Sequence, residues 1–238
     1  MKNICWLIIK LFFVTGMVSC KPVQSNVYLI PTLHGLHSVN KHYSYDSLRK
    51  IISTLNPEII AVEMRREDID EDSIYLAGNY PLEMRMMKYW FPETKVVGFD
   101  WLGTDIEGRL IPSNYWKEIS SIKKFERALQ HDSIYQNKIS TCDTFTRERL
   151  TLLQTLSLHE LLSSKDSLLT VRYYQCLEDM LKGSVHERVL TFYTLRNEEM
   201  LQNINKIIRE NKKKRIVILT GDDHFIYLKN KFKNNKLP

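Results

Sequence analysis

The chain is 238 residues long and carries 34 Lys and Arg against 28 Asp and Glu, a formal net charge of +6. So mild an excess gives no argument for nucleic acid as a partner, and no Gly- or Pro-rich linker, internal repeat or low-complexity tract divides the chain. The length suits one sizeable hydrophobic core with room for a helical elaboration.

The first stretch, "MKNICWLIIKLFFVTGMVSC", puts Lys2 ahead of an apolar run that only Lys10 interrupts, and it ends in small residues before Cys20. That is the layout of a bacterial secretory signal, and the run is short for a membrane span. Met17, Val18, Ser19 and Cys20 resemble a lipobox, in which Cys20 is lipidated and becomes the first mature residue. The expectation is a protein exported and lipid-anchored in the bacterial cell envelope, at the periplasmic or surface face of the outer membrane. Removal of residues 1–19 takes away Lys2 and Lys10, which lowers the net charge from +6 to +4 and leaves 219 residues. Cys5 departs with the signal and Cys20 carries lipid. Cys142 and Cys176 either pair, which export permits, or remain two buried thiols.

In the mature chain, taken as one domain over 20–238, residues 27–33 are a predicted strand. Residues 44–55 are a predicted helix, because Leu48, Ile51, Ile52 and Leu55 recur at helical spacing and Asn56-Pro57 stops it. The runs "EIIAVEM" (58–64) and "KVVGFDW" (95–101) are two further strands. A fourth strand spans 215–220, and a helix follows over 222–232. Continuous apolar strands alternating with helices specify an α/β fold, a largely parallel sheet covered by helices. Residues 115–210 are helical in pattern with no convincing strand, so they form a helical insertion or cap.

In such sheets ligands bind beyond the carboxyl ends of the strands. His34 and His224 each lie just past a strand end, and Glu63 closes "IIAVE". Parallel strands bring these ends to one edge, so the three side chains can converge although far apart in sequence. Two imidazoles and a carboxylate suit a divalent transition metal (zinc, manganese or cobalt) with a position open to water. The plain alternative is a pair of hydrogen-bonded surface histidines and an ion pair between Glu63 and Arg65 or Arg196. His37, three residues past His34, is a second candidate imidazole. Asp100 ends the third strand, where it either orients an imidazole or caps the following turn, and Trp101 is a candidate wall of the pocket.

The segments "PTLH" (31–34), "AVE" ending at Glu63, "LRNEEM" (195–200) and "GDDH" (221–224) stand in an order that resembles the TraB/GumN and Tiki proteins. That superfamily also takes in ChaN and the erythromycin esterases. Its members carry a Gly-x-x-His near the start, a glutamate ending the next strand, an Arg-Asn helix and a second Gly-x-x-His after a late strand. The resemblance covers most of the mature chain. It departs at Pro31, where the family has glycine; proline fixes φ and removes an N–H donor. By resemblance to the Tiki branch, His34, Glu63 and His224 are metal ligands of a hydrolase, or Glu63 is the general base beside the metal. Arg196 either binds a substrate carboxylate or developing oxyanion, or pairs with Glu199 or Glu63.

Other signals fail. "HELLSS" at His159 and "HERVL" at His186 lack the second histidine of a zincin helix. "DIDED" (68–72) lacks the glycine and distal glutamate of a calcium loop and reads as a solvated acidic turn. "NKKKR" reads as a solvated connection, and the basic tail over 229–236 suits anionic headgroups beside a lipid anchor. The expected function is a metal-dependent hydrolase acting on a peptide or small-molecule substrate at the membrane. The alternative is a non-enzymatic haem- or ligand-binding lipoprotein of the ChaN type, for which twelve tyrosines and several histidines offer iron ligands. A third reading is a scaffold whose site has decayed, signalled by Pro31.

Overall fold

The computed structural model describes residues 26–163 and 165–232. The segment predicted to be an export signal, Cys20 and the tail from residue 233 lie outside the described residues. Four strands, β1 (Asn26–Thr32), β2 (Ile59–Arg65), β3 (Lys95–Asp100) and β4 (Arg215–Gly221), form one all-parallel sheet in the order β1-β4-β2-β3. β2 is buried along its whole length, as its central position and the apolar run Ile59–Val62 require, and it carries Glu63 and Arg65 into the interior with it. Helix α1 (Tyr45–Leu55) starts at Ser44, whose hydroxyl accepts the Ser47 N–H, and buries Leu48 and Ile52 against the sheet core. Helices α2 (Ser73–Asn79) and α3 (Leu82–Trp90) connect β2 to β3. The protein is therefore α/β, and all four strands end at one edge.

Pro31 sits in β1, which pairs only with β4 and so is an edge strand, where a missing N–H is tolerated. Its carbonyl accepts the Tyr43 hydroxyl at 2.7 Å. The acidic stretch 68–72 is not wholly solvated as expected. Asp68 is fully buried, taking 2.7 Å bonds from Nε and Nη2 of Arg65 and a further bond from the Tyr80 hydroxyl. Buried Arg65 at the end of β2 needs a counter-charge, and the nearest carboxylate turns inward to supply it.

Residues 115–210 form helices joined by short turns, with no strand in their described part. A short π-helical turn (Tyr115–Ile119) leads to α4 (Ser121–His131), α5 (Ser133–Ile139), α6 (Asp143–Leu153), α7 (Leu158–Ser163), α8 (Lys165–Leu181) and the long α9 (Arg188–Glu210). Helix α10 (Asp222–Lys231) follows β4 directly. The C-terminal half of α9 buries Met200 and Ile204 in the main core, whereas its start joins a second apolar cluster of Ile122, Leu129, Leu177, Leu181 and Val189. Cys142 and Cys176 form a disulfide inside that second cluster, tying the start of α6 to α8.

Because the bridge closes a loop of sequence separation 34, chain entropy assigns it about 4 kcal/mol. The double variant Cys142→Ala/Cys176→Ala is expected to lose stability of that order in denaturant unfolding, and an unchanged midpoint would contradict the pairing.

Candidate functional site

The strand order sets four side chains in a row along the carboxyl edge: His34 beyond β1, His224 beyond β4, Glu63 on β2 and Asp100 ending β3. They line one cavity of about 480 Å³ together with Arg196 and Asp222. Glu63 is its hub. One carboxylate oxygen accepts the Gly221 N–H at 2.7 Å and the Thr220 hydroxyl at 2.8 Å; the other accepts from Arg196 Nη2 at 3.1 Å and lies 3.6 Å from His224 Nε2. Burial alone would raise the Glu63 pKa, but the charges of His224, Arg196 and His34 and the Gly221 N–H outweigh it and hold the carboxyl at about 2.

His34 departs from the usual backbone: its φ is +50°, a left-handed conformation uncommon for a residue with a side chain. Tyr45 donates its hydroxyl to the His34 carbonyl at 3.0 Å, helping to hold that turn. Nδ1 of His34 lies 2.7 Å from Glu83 Oε1, and a carboxylate can only accept, so Nδ1 carries the proton. Glu83 is fully buried, and its second oxygen has no protein partner. Burial opposes protonation of His34, yet the Glu83 bond and the charges of Glu63, Glu83 and Asp222 raise its pKa to about 9. Nε2 stands over Gly221, where a Cβ would sit 2.7 Å from it and 3.5 Å from Glu63 Oε2. Glycine at 221 therefore makes the space in which imidazole and carboxylate approach.

His224 enters from the first turn of α10. Its Nδ1 lies 2.6 Å from Asn197 Oδ1 on α9, which leaves Nε2 toward Glu63. Burial lowers its pKa, with Glu63 opposing. Arg196, the preceding residue on α9, donates Nε and Nη2 to the two oxygens of Asp100, both at 2.9 Å. Asp222 is pushed up to about 7 by burial, with Arg149 opposing and Asp223 and Asp166 adding to the rise. Arg149 on α6 bonds Asp166 on α8 at 2.8 Å and pairs with both Asp222 and Asp223, so the cap grips the start of the helix that carries His224.

No protein family, curated protein or solved structure matches the chain. The site is therefore read from its own geometry.

His34, Glu63, Arg196 and His224 come together, with Asp100 holding Arg196 rather than an imidazole. Asp100 also accepts the Trp101 N–H at 2.7 Å, capping the turn. Trp101 lies outside this cavity and stacks on Phe192 of α9, ring centroids 6.1 Å apart. His37 is buried with both ring nitrogens committed: Nε2 accepts the Leu33 N–H at 2.9 Å and Nδ1 donates to the Tyr43 carbonyl at 2.6 Å. Among the described residues, no three His, Cys, Asp or Glu side chains stand gathered closely enough to hold a metal ion as they are. Sequence reasoning missed Glu83 and placed Asn197 in the Arg-Asn motif without giving it a role. A trace of Glu83 was visible, since it shares the buried face of α3 with Met84 and Met87.

Gly221 has φ −54°, which alanine adopts without strain. Gly221→Ala is therefore expected to displace the His34 ring and shift its imidazole NMR resonances while costing less than about 2 kcal/mol of stability. An unmoved His34 spectrum would contradict the close approach. His37 gives a pH prediction. Burial lowers its pKa from the ordinary 6.5, the Tyr43 bond opposing. The folded ring thus binds its proton less readily than the unfolded one, so this contribution is complete above that value and fades as pH falls below it. The stability gap between wild type and His37→Gln should narrow from pH 7.5 to 5; a constant gap would refute it.

Proposed function

We propose that the cavity is the active site of a metal-dependent hydrolase cleaving a peptide or related bond, with His34, Glu63 and His224 as metal ligands. The observation that carries this reading is the anchoring of both imidazoles through Nδ1, to Glu83 and to Asn197, which leaves each Nε2 toward the shared Glu63 carboxylate. Metal-binding histidines have this outer support as a rule. The glycine cradle at 221 fits the same donor set, although the side chains must close further around an ion. When bound, a divalent transition metal (zinc, manganese or cobalt) acts as a Lewis acid that polarises a carbonyl and makes water nucleophilic near neutral pH. Glu63, held at about 2, is a poor base and a good permanent anion, which favours the ligand role over the general-base role. Asp100 fixes the plane of Arg196, whose Nη1 is left to serve a substrate carboxylate or a developing oxyanion.

The four segments that resemble the TraB/GumN and Tiki proteins all contribute to this one cavity, which supports membership of that superfamily. The disulfide supports export to an oxidising compartment, in keeping with a lipid anchor at Cys20.

One observation favours a second, metal-free reading. His34 and Asp222, raised to about 9 and about 7, line the same cavity as a protonated acid and a group poised near neutrality. Such a pair can divide general acid and general base work. Elemental mass spectrometry separates the two. Wild type is expected to hold about one equivalent of metal, and His34→Ala, Glu63→Ala and His224→Ala to lose at least about tenfold in affinity. Asp222→Asn and His159→Ala should keep the metal. Metal at wild-type stoichiometry in the first three variants, or none in wild type, overturns the metal reading.

A further inference from the structure

A second cavity, of about 770 Å³, runs between α8, α9 and α10. It shares Tyr174, Tyr193 and Asp223 with the site cavity, so the two meet at a common wall. Asn197, which anchors His224, faces this groove. Its size falls in the range, about 300–1,000 Å³, of cavities that enclose an organic ligand.

The groove has a distinct chemistry. Val171 and Leu195 lie in its walls with 45% and 43% of their surfaces exposed, a cost in water that an apolar ligand group removes. Glu178, Glu187, Glu198 and Asp223 also line it, and among the lining residues there is no Lys, Arg or His. Thr170, Gln175, Thr191 and Thr194 add hydrogen-bonding groups between the apolar ones. Apolar patches, spaced polar groups and the carboxylates of Glu178, Glu187 and Glu198 together fit an extended polypeptide with mixed apolar and basic side chains. Lys231 stands at the groove's rim, with Nζ 5.6 Å from the Tyr227 ring centroid, and Arg149 pairs with Asp223, so the charge offered to a ligand is that of Glu178, Glu187 and Glu198.

We infer that this groove binds the substrate of the hydrolytic site, a basic, apolar peptide segment lying along α8 and α9 with its scissile bond carried past Tyr174 and Tyr193 toward Glu63. The inference rests on the hydrolase reading for the direction of the chain, and binding can be measured without cleavage. The probes are two fluorescein-labelled nonapeptides, one alternating leucine with lysine and one alternating leucine with glutamate. Anisotropy titrations are made with wild type, with Glu178→Gln/Glu198→Gln and with Thr194→Trp, which fills the groove from an exposed position. Peptide integrity is followed by mass spectrometry. The lysine peptide is expected to bind at least about tenfold more tightly than the glutamate peptide, the double variant to weaken it roughly three- to tenfold, and added salt to do the same. Selective binding without cleavage upholds the groove and tells against the hydrolase. Equal binding of both peptides, no binding, or binding unaffected in both variants overturns the groove, and cleavage under those conditions leaves the hydrolase standing.

Discussion

The Glu63 carboxylate is a negative charge buried at the meeting of four parallel strands, and unpaired it would cost several kcal/mol. Its compensation organises the edge of the sheet. Gly221 N–H and the Thr220 hydroxyl bind it from β4, the neighbouring strand, and Arg196 reaches it from α9. Arg196 is fixed in turn by Asp100, so β3 joins the same network. The two histidines stand over this charge from β1 and β4, each steadied from behind by a separate helix, Glu83 on α3 and Asn197 on α9. Removing the carboxylate would leave Arg196 with one anion and both imidazoles facing nothing.

The cap depends on the sheet through a second buried charge cluster. Arg149 links α6, α8 and the first turn of α10, so the position of His224 is coupled to the packing of helices remote in sequence. The disulfide stiffens the same helices on their far side, within the smaller apolar cluster. The cap is thus built to hold a fixed face, and that face forms two walls of the groove leading to the site.

Much of this was legible in the chain. Continuous apolar runs located all four strands within a residue or two, and α1 ended where Asn56-Pro57 said it would, Asn56 taking a left-handed conformation, while Ser44 proved to be its cap. The placement of His34, Glu63 and His224 at one edge followed from parallel pairing alone. What stayed hidden depended on which face of a helix meets the sheet. Glu83 became a partner of His34 only once α3 turned it inward, and Asp100, read as orienting an imidazole or capping a turn, caps the turn and also holds Arg196 of α9. His37 shows the converse: a histidine near the site whose two nitrogens are consumed by its own turn. Asp68 shows that an acidic run can be split by one buried arginine.

In the proposed metal site two imidazoles, one just past β1 and one just past β4, meet the Glu63 carboxylate. X-ray absorption at the metal edge of protein loaded with one equivalent of zinc reads this directly. Two imidazoles and a carboxylate are expected around the zinc, falling to one imidazole in His34→Ala and in His224→Ala. A spectrum that is the same in wild type and both variants, or one without imidazole scattering, would contradict it.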